Sequence, residues 1–278
     1  MKKIYAFLAL IMALCILMSC DPGKKEVRLA YKFRPSQSKE YVSMIKISST
    51  INETGKPLQR DNYSFRSRLL EQVIAVIDST KARISLTNVS ENPEKPISQM
   101  GRKESQRAWS IEYLIANNGK ILEFFPEDSS SSSIIEAYRN YYEQASPVFP
   151  EEPVSENQSW GQTVKLIIKD EGPTSAETKY NVKAFVREAG YDCAVIEYVG
   201  NMIIPYRKIE SDGSMVIGLN RIGTKGVIYF GYVYGMIVKQ EETYDIQMEG
   251  SRIGNGLKTK VTASSKMTSS MVLTDAGS

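Results

Sequence analysis

The chain has 278 residues, a formal net charge of +3 and no histidine. The lack of histidine excludes Ser-His-Asp and Cys-His catalysis, histidine-ligated zinc and histidine-based pH switching. Carboxylate catalysis, a Ser-Lys dyad and oxygen-ligated calcium stay open. The charge is too small, and too evenly spread, for electrostatic binding of nucleic acid.

The first nineteen residues have the pattern of a secretory signal. Lys2 and Lys3 precede an unbroken apolar run at residues 4–18, and the small residue Ser19 follows it. A positive start, a short apolar stretch and a small residue before the cut are typical of such a signal. The run is shorter than the ~20 residues that span hydrocarbon. The sequence therefore predicts a signal peptide at residues 1–19.

The end of this run, Leu17-Met18-Ser19-Cys20, resembles the lipobox of bacterial lipoproteins. In that family a diacylglyceryl group is added to the cysteine sulfur, the signal is cut before the cysteine, and the new amine is acylated, for example with palmitate. The resemblance implies cleavage between Ser19 and Cys20, with Cys20 as the lipid attachment site. Met18 is bulkier than the usual occupant. An uncleaved signal anchor or a plain secretory signal is the alternative.

The mature chain predicted in this way begins with a lipidated tether at residues 20–26. Loss of the signal removes two lysines, which leaves a formal charge of +1. Cys15 is lost with the signal and Cys20 is acylated, so Cys193 cannot form an intramolecular disulfide. Cys193 lies in a predicted strand, and we expect its thiol to be buried and inert.

From Val27 onward the dominant hydrophobic period is two, which predicts strands in a single β-rich domain at residues 27–274. Many of these strands are long, with one apolar and one polar face. They favour a large curved antiparallel sheet or a half-open barrel over a compact sandwich. The predicted strands are 27–34, 41–53, 58–78, 81–89, 109–115, 121–125, 159–169, 178–188, 191–199, 213–221, 227–234, 236–248 and 258–273.

One main helix is predicted, at about residues 133–145. Ser133 and Glu136 fit a capping box at its start. Its apolar stripe comprises Ile134, Tyr138 and either Tyr141 or Tyr142. This helix either forms a lid over the concave face of the sheet or caps one end of it. The proline-rich residues 147–155 are predicted to be an extended linker, which could divide the domain into two halves.

Two stretches are similar to a family of uncharacterised β-rich bacterial envelope lipoproteins. The first is Phe149-Pro150-Glu151-Glu152-Pro153-Val154 followed by Gln158-Ser159-Trp160, and the second runs from Tyr234 to Met248. Asn157 stands where that family commonly has glycine. The predicted layout also resembles the half-open barrel of periplasmic lipoprotein carriers. In those proteins a curved antiparallel sheet forms an apolar concavity that helices plug.

The candidate site residues are aromatic. Tyr229, Phe230, Tyr232 and Tyr234, together with Tyr138 and Tyr141, could line an apolar ligand cavity, or they could be ordinary core. The acidic pairs at 127–128, 151–152 and 241–242 lack calcium-loop spacing and are expected to be solvated. We predict no metal site, no cofactor and no catalytic residue.

The sequence thus predicts a non-enzymatic lipoprotein of the bacterial cell envelope, on the periplasmic or surface face. Its partners are membrane lipid, through acylated Cys20, and an apolar ligand held in the curved sheet. The alternative is a structural or protein-interaction module of the envelope with a filled core and no cavity. An enzyme would need a carboxylate pair or a Ser-Lys dyad assembled from distant strands.

The Cys20→Ala variant tests the anchor, because it removes the sulfur to which the lipid is attached. We expect it to lose all labelled palmitate and to keep the mass of the uncleaved precursor. Cys15→Ala, within the apolar run, should be labelled and cut normally. Mass spectrometry of the membrane fraction measures both. Palmitate on the Cys20→Ala protein would contradict the assignment.

Overall fold

A computed structural model describes residues 25–90, 109–125, 146–168, 172–254 and 256–277. The predicted signal and the predicted helix at 133–145 lie outside these residues. No helix in the described ranges is long and apolar enough to cross a membrane. The described strands are β1 (Ser38–Glu53), β2 (Gln59–Asp78), β3 (Lys81–Ser90), β4 (Trp109–Ala116), β5 (Ile121–Phe125), β6 (Ser159–Ile168), β7 (Gly172–Glu188), β8 (Tyr191–Ile209), β9 (Met215–Gly231), β10 (Met236–Gly254) and β11 (Leu257–Gly277).

These eleven strands form one antiparallel sheet in the order β5-β4-β3-β2-β1-β11-β10-β9-β8-β7-β6. Neighbours in the sheet are consecutive in sequence except at the centre, where β1 pairs with β11 from Ser38↔Gly277 to Glu53↔Val261. The sheet therefore consists of two meanders joined in the middle. The predicted fold class, mainly β with one large, curved and unclosed antiparallel sheet, is confirmed.

Both edges of the sheet contact the same segment of chain. Val148 N donates to Gln162 Oε1 on β6 at 3.0 Å. Phe149 N donates to the carbonyl of Asn118, in the turn between β4 and β5, at 2.8 Å. Strands β5 and β6 do not pair with each other in the described ranges. The sheet is thus a curved half-barrel, and these contacts hold its two edges near one another.

Residues 25–37 and 146–158, which we call the cap, lie across one end of the half-barrel. Val27 and Val154 exchange two backbone hydrogen bonds of 2.9 and 2.8 Å. Tyr31 N donates to the carbonyl of Asn117 at 2.6 Å, and Lys32 N donates to the carbonyl of Gly235 at 3.2 Å. The cap is therefore tied to the β4–β5 turn and to the β9–β10 turn.

Two turn glycines allow this close approach. Gly119 and Gly235 have φ angles of 92° and 66°, in the left-handed region that glycine adopts readily. A Cβ atom on Gly119 would collide with the carbonyl oxygen of Pro147, and one on Gly235 would collide with the backbone of Lys32. Asn157 has a φ of 65°, which asparagine tolerates better than most residues.

The prediction of a first strand at residues 27–34 is wrong. This segment is extended, but it forms only the Val27–Val154 bridge and crosses the ends of the strands. Its alternation still has a physical cause, because Leu29 is buried and Phe33 packs against the core, while Lys32 is exposed. An extended chain alternates its faces whether or not it joins a ladder.

The predicted linker at 147–155 lies in the cap, and the strands on either side of it belong to the same sheet. The separate strands predicted at 213–221 and 227–234 are one strand, β9. Gly223, which lies between the two predicted strands, pairs with Asn201 on one side and Asp245 on the other. Ladder partners on both sides hold a glycine in a strand that its own propensity disfavours.

Three buried apolar clusters are found in the described residues, and the smallest comprises Leu166, Ala176 and Met202 on β6–β8. The first core joins the cap to the second meander and comprises Leu29, Phe149, Val154, Tyr180, Val182, Ala194, Ile196, Tyr198, Ile228 and Phe230. The second core lies under the first meander and comprises Val73, Ala82, Ile84, Leu86, Ile111, Tyr113 and Ile115. The cap thus supplies three side chains to the first core, whose other members come from the three strands β7, β8 and β9.

The cap's contribution to stability can be measured with Leu29→Ala. Leu29 is 1% exposed, so we expect the free energy of unfolding to fall by about 2–5 kcal/mol. Leu257→Ala is the matched control, because Leu257 is 71% exposed and its loss should change stability by less than about 0.5 kcal/mol. Urea unfolding of the full chain measures both. Equal effects would show that the cap is not part of the core.

Candidate ligand cavity

A cavity of about 430 Å³ lies on the concave face beside the cap. One wall is apolar and comes from β2, β3 and β4, through Leu69, Ile84, Leu86, Tyr113 and Ile115. Tyr31 and Phe33 of the cap also line it. The volume falls within the range of small-molecule sites, ~300–1,000 Å³. Depressions of similar size exist elsewhere, but the one lined by Lys46 and Lys225 lies on the outer face.

Strand register places a row of polar groups opposite this apolar wall. On β1, Ser43 lies between Ser67 of β2 and Met271 of β11. One step further along, Ser269 of β11 pairs with Glu242 of β10. Alternate residues of a strand face the same side of a sheet, so the three serines and Glu242 all face inward. The cavity is therefore mostly apolar on β3 and β4, and it carries polar groups between apolar side chains such as Ile45 and Met271 on β1, β10 and β11.

Glu242 is a buried carboxylate, only 6% exposed. Its Oε2 accepts hydrogen bonds from the Tyr198 hydroxyl at 2.8 Å, the Tyr244 hydroxyl at 3.0 Å and Gln240 Nε2 at 3.2 Å. Such donors offset the large cost of removing a charge from water. The expectation that the pair at 241–242 is solvated is wrong for Glu242. It holds for Glu241, which is 53% exposed and lies 3.0 Å from Lys239.

A glycine makes room for this arrangement. Gly226 of β9 pairs with Glu242 on one side and with Tyr198 on the other. A Cβ on Gly226 would come within 2.6 Å of the Tyr198 hydroxyl, so a side chain there would displace the phenol. The sequence did indicate that Glu242 faces inward, because alternate residues of a strand share a face and Val238 and Gln240 lie on the same face as Glu242. Its burial, however, depends on a donor from a distant strand.

A second buried charge lies near the cap end of the cavity. Lys39 is 2% exposed, and its Nζ is 2.5 Å from Oε1 of Glu71, the opposite residue on β2. Glu71 lines the cavity. Breaking a buried pair is costly because it leaves one charge without compensation. The sequence gave no indication of this pair, since neither residue stands in a motif.

The tyrosines around the cavity are held in their neutral form. Burial raises the pKa of Tyr31 and of Tyr41, and the negative charge of Glu71 raises the pKa of both further. Burial also raises the pKa of Tyr180 in the first core. These shifts mean that the interior beneath the cap disfavours an anion, first because water is excluded and then because a carboxylate is near.

The aromatic residues predicted to line a cavity lie elsewhere. Phe230 is fully buried in the first core, where its ring is 4.5 Å from that of Phe149. Tyr229 faces the other side of β9, and Tyr232 and Tyr234 lie beyond the end of that strand. None of the four lines the 430 Å³ cavity. Adjacent residues of a strand face opposite sides of the sheet, so Tyr229 and Phe230 do not share a face. The cap fills the space on the inner side of Phe230. The predicted Tyr138 and Tyr141 lie outside the described residues.

The other candidates carry no chemistry in the structure. Cys193 is fully buried, and burial raises the pKa of its thiol to about 11, which keeps it protonated and inert at neutral pH. Glu151 and Glu152 are exposed, as expected, and the pair at 127–128 lies outside the described residues. No three Cys, Asp or Glu side chains in the described ranges are placed to hold a metal ion.

No family model and no curated protein matches the chain. Among solved structures, lipovitellin is similar at 12% identity and a TM-score of 0.40, over 89% of this chain and 26% of that one. OpdQ of Pseudomonas aeruginosa is similar at 8% identity and a TM-score of 0.25, over 86% of this chain and 98% of that one. The attachment invasion locus protein Ail of Yersinia pestis is similar at 8% identity and a TM-score of 0.12, over 86% of this chain and 99% of that one. The chain spans about a quarter of the lipovitellin chain. These are likenesses of β-sheet folds.

The buried tyrosines predict how stability depends on pH. Unfolded tyrosines ionise near pH ~10, whereas the folded protein keeps Tyr31, Tyr41 and Tyr180 neutral. Their contribution is thus complete below pH ~10 and is lost above it, by up to about 1.4 kcal/mol per pH unit for each group. Urea unfolding at several alkaline pH values measures the slope.

The Tyr41→Phe variant removes one of these groups, so its slope above pH ~10 should be shallower than that of the wild type. Leu257→Ala, which removes no titratable group, should keep the wild-type slope. An unchanged slope in Tyr41→Phe would mean that Tyr41 ionises in the folded protein.

Proposed function

We propose that this chain is a lipid-anchored protein of the bacterial cell envelope that binds a lipid or another apolar small molecule in its curved sheet. The observation that carries the proposal is the cavity beside the cap, with its apolar wall on β2–β4 and its inward polar groups on β10 and β11. Ligand sites are typically concave and mostly apolar, with a few polar groups that orient the ligand.

The anchor rests on the lipobox-like residues that end at Cys20, and the position of Lys25 limits how far the domain could lie from it. The Lys25 ammonium lies 5.1 Å from the ring centre of Phe185 and 5.2 Å from that of Tyr232. Cys20 precedes Lys25 by five residues, which reach at most about 18 Å when extended. On this proposal the capped end of the half-barrel stays close to the membrane that holds Cys20.

The alternative, an interaction module of the envelope, draws on exposed apolar side chains on the outer face. Val199 is 58% exposed, Ile203 46% and Leu219 42%, and they lie on the adjacent strands β8 and β9. Exposed apolar patches of sufficient size mark sites of association. The cavity favours ligand binding, because a pure interaction module has no need of unfilled space in its interior.

A matched pair of variants tests the proposed function. Ser269 lines the cavity and Ser270 faces the outer side of the same strand. Ser269→Phe should fill the cavity and lower the amount of co-purifying lipid or apolar molecule at least about tenfold, the scale of one lost favourable contact of ~1.4 kcal/mol. Ser270→Phe should keep the wild-type amount. Mass spectrometry of organic extracts of the full chain measures the ligand.

The Ser269→Phe protein must remain folded for the comparison to count, and overpacking a core costs about 1–3 kcal/mol. Thermal unfolding of both variants checks this. Wild-type protein that carries no apolar molecule, and takes none up from a lipid mixture, would contradict ligand binding and leave the interaction module as the better account.

A further inference from the structure

We infer that the ligand is an amphiphile whose head is neutral or cationic and donates hydrogen bonds, such as a long-chain amine or alcohol, and that a fatty acid is disfavoured. This inference rests on the proposed function and specifies the ligand class of the same cavity. It follows from the distribution of charge and polarity along the cavity lining.

The charged groups that line the cavity are acidic. Glu71 and Glu242 both line it, and no lysine or arginine is among the described residues that do so. The remaining polar side chains of the lining carry amide or hydroxyl groups, as Gln240 and Ser269 do. Carboxylates only accept hydrogen bonds when ionised. The lining is therefore complementary to a head group that donates.

The nearest buried cation is already engaged. Lys39 lies beside Glu71, with 2.5 Å between its Nζ and Oε1 of that carboxylate, and it is 2% exposed. An anionic head would have to compete with Glu71 for this ammonium and would leave that partly buried carboxylate without its partner. A cationic or neutral head requires no such exchange.

The raised pKa values of the tyrosines near Glu71 also indicate that a negative charge is disfavoured in this part of the interior. Burial, followed by the charge of Glu71, raises the pKa of both Tyr31 and Tyr41. The two effects that oppose a phenolate here would also oppose the carboxylate of a fatty acid placed in the same space. An ammonium would lose hydration as well, but it would gain from the charge of Glu242 on β10, since Lys39 already compensates Glu71.

The two sides of the cavity also orient the ligand. The apolar wall lies on β2–β4, whereas Gln240 and Glu242 lie on β10, across β1 and β11. A chain packed against Leu86 and Tyr113 would therefore direct its head toward β10. Among the inward groups there, Glu242 carries the charge, and so it is the residue that should set the preference.

The test uses the full chain in membranes and three photoactivatable probes of one chain length: an amine, an alcohol and a carboxylic acid. After irradiation, mass spectrometry maps the crosslinked peptides. We expect the amine and the alcohol to label peptides of β1, β10 and β11 at least about tenfold more than the acid, the scale of one unfavourable charge contact. The ratio of amine to acid within one sample is independent of the amount of folded protein.

Glu242→Gln keeps the shape of the side chain and removes its charge, so it should reduce the ratio of amine to acid labelling. Glu241→Gln is the matched control, because Glu241 is the next residue, on the outer face and paired with Lys239. That variant should keep the wild-type ratio.

The outcomes separate the two proposals. If no probe labels cavity peptides of the folded wild-type protein, ligand binding itself fails. If the acid labels them as well as the amine does, ligand binding stands and the inferred head-group preference is overturned. An unchanged ratio in Glu242→Gln would overturn the role of Glu242.

Discussion

The structure depends on the cap, because an open curved sheet has a concave face that its own strands leave uncovered. Leu29 and Phe149 bury that face at one end, and backbone hydrogen bonds fix the cap to the β4–β5 and β9–β10 turns. The same segment contacts both edges of the sheet, so the curvature and the cover have a common cause. The cavity lies where the cap stops and the inner face of β1 and β11 continues.

The strands were predictable because a half-buried strand must alternate, and the turn at 117–119 was predictable from its Asn-Asn-Gly sequence. Pairing was not predictable, because alternation reports which way a side chain faces and not whether the backbone joins a ladder. Residues 27–34 show the difference. The buried state of Glu242 could not be predicted either, because it requires the Tyr198 hydroxyl and the space above Gly226, which only the register of three strands brings together.

The polar groups of the interior are distributed unevenly, so different parts of the cavity offer a ligand different chemical groups. A uniformly apolar concave face would accept any hydrophobic chain. Here Glu242 with its three donors occupies β10, and the Lys39–Glu71 pair occupies β1 and β2. Buried groups of this kind are tolerated only when they are satisfied. The inner face can therefore discriminate between head groups as well as accept an apolar chain.

The pairing of β1 with β11 has a consequence for assembly. The first and the last described strands meet at the centre of the sheet, with Ser38 opposite Gly277, so the two meanders cannot join until β11 has been synthesised. Until then each meander has an extra unpaired edge, which is a template for wrong association. Contacts between such distant parts of a chain slow folding. A protein with this topology must be kept from aggregating during its synthesis, and it completes its sheet as a late, single event.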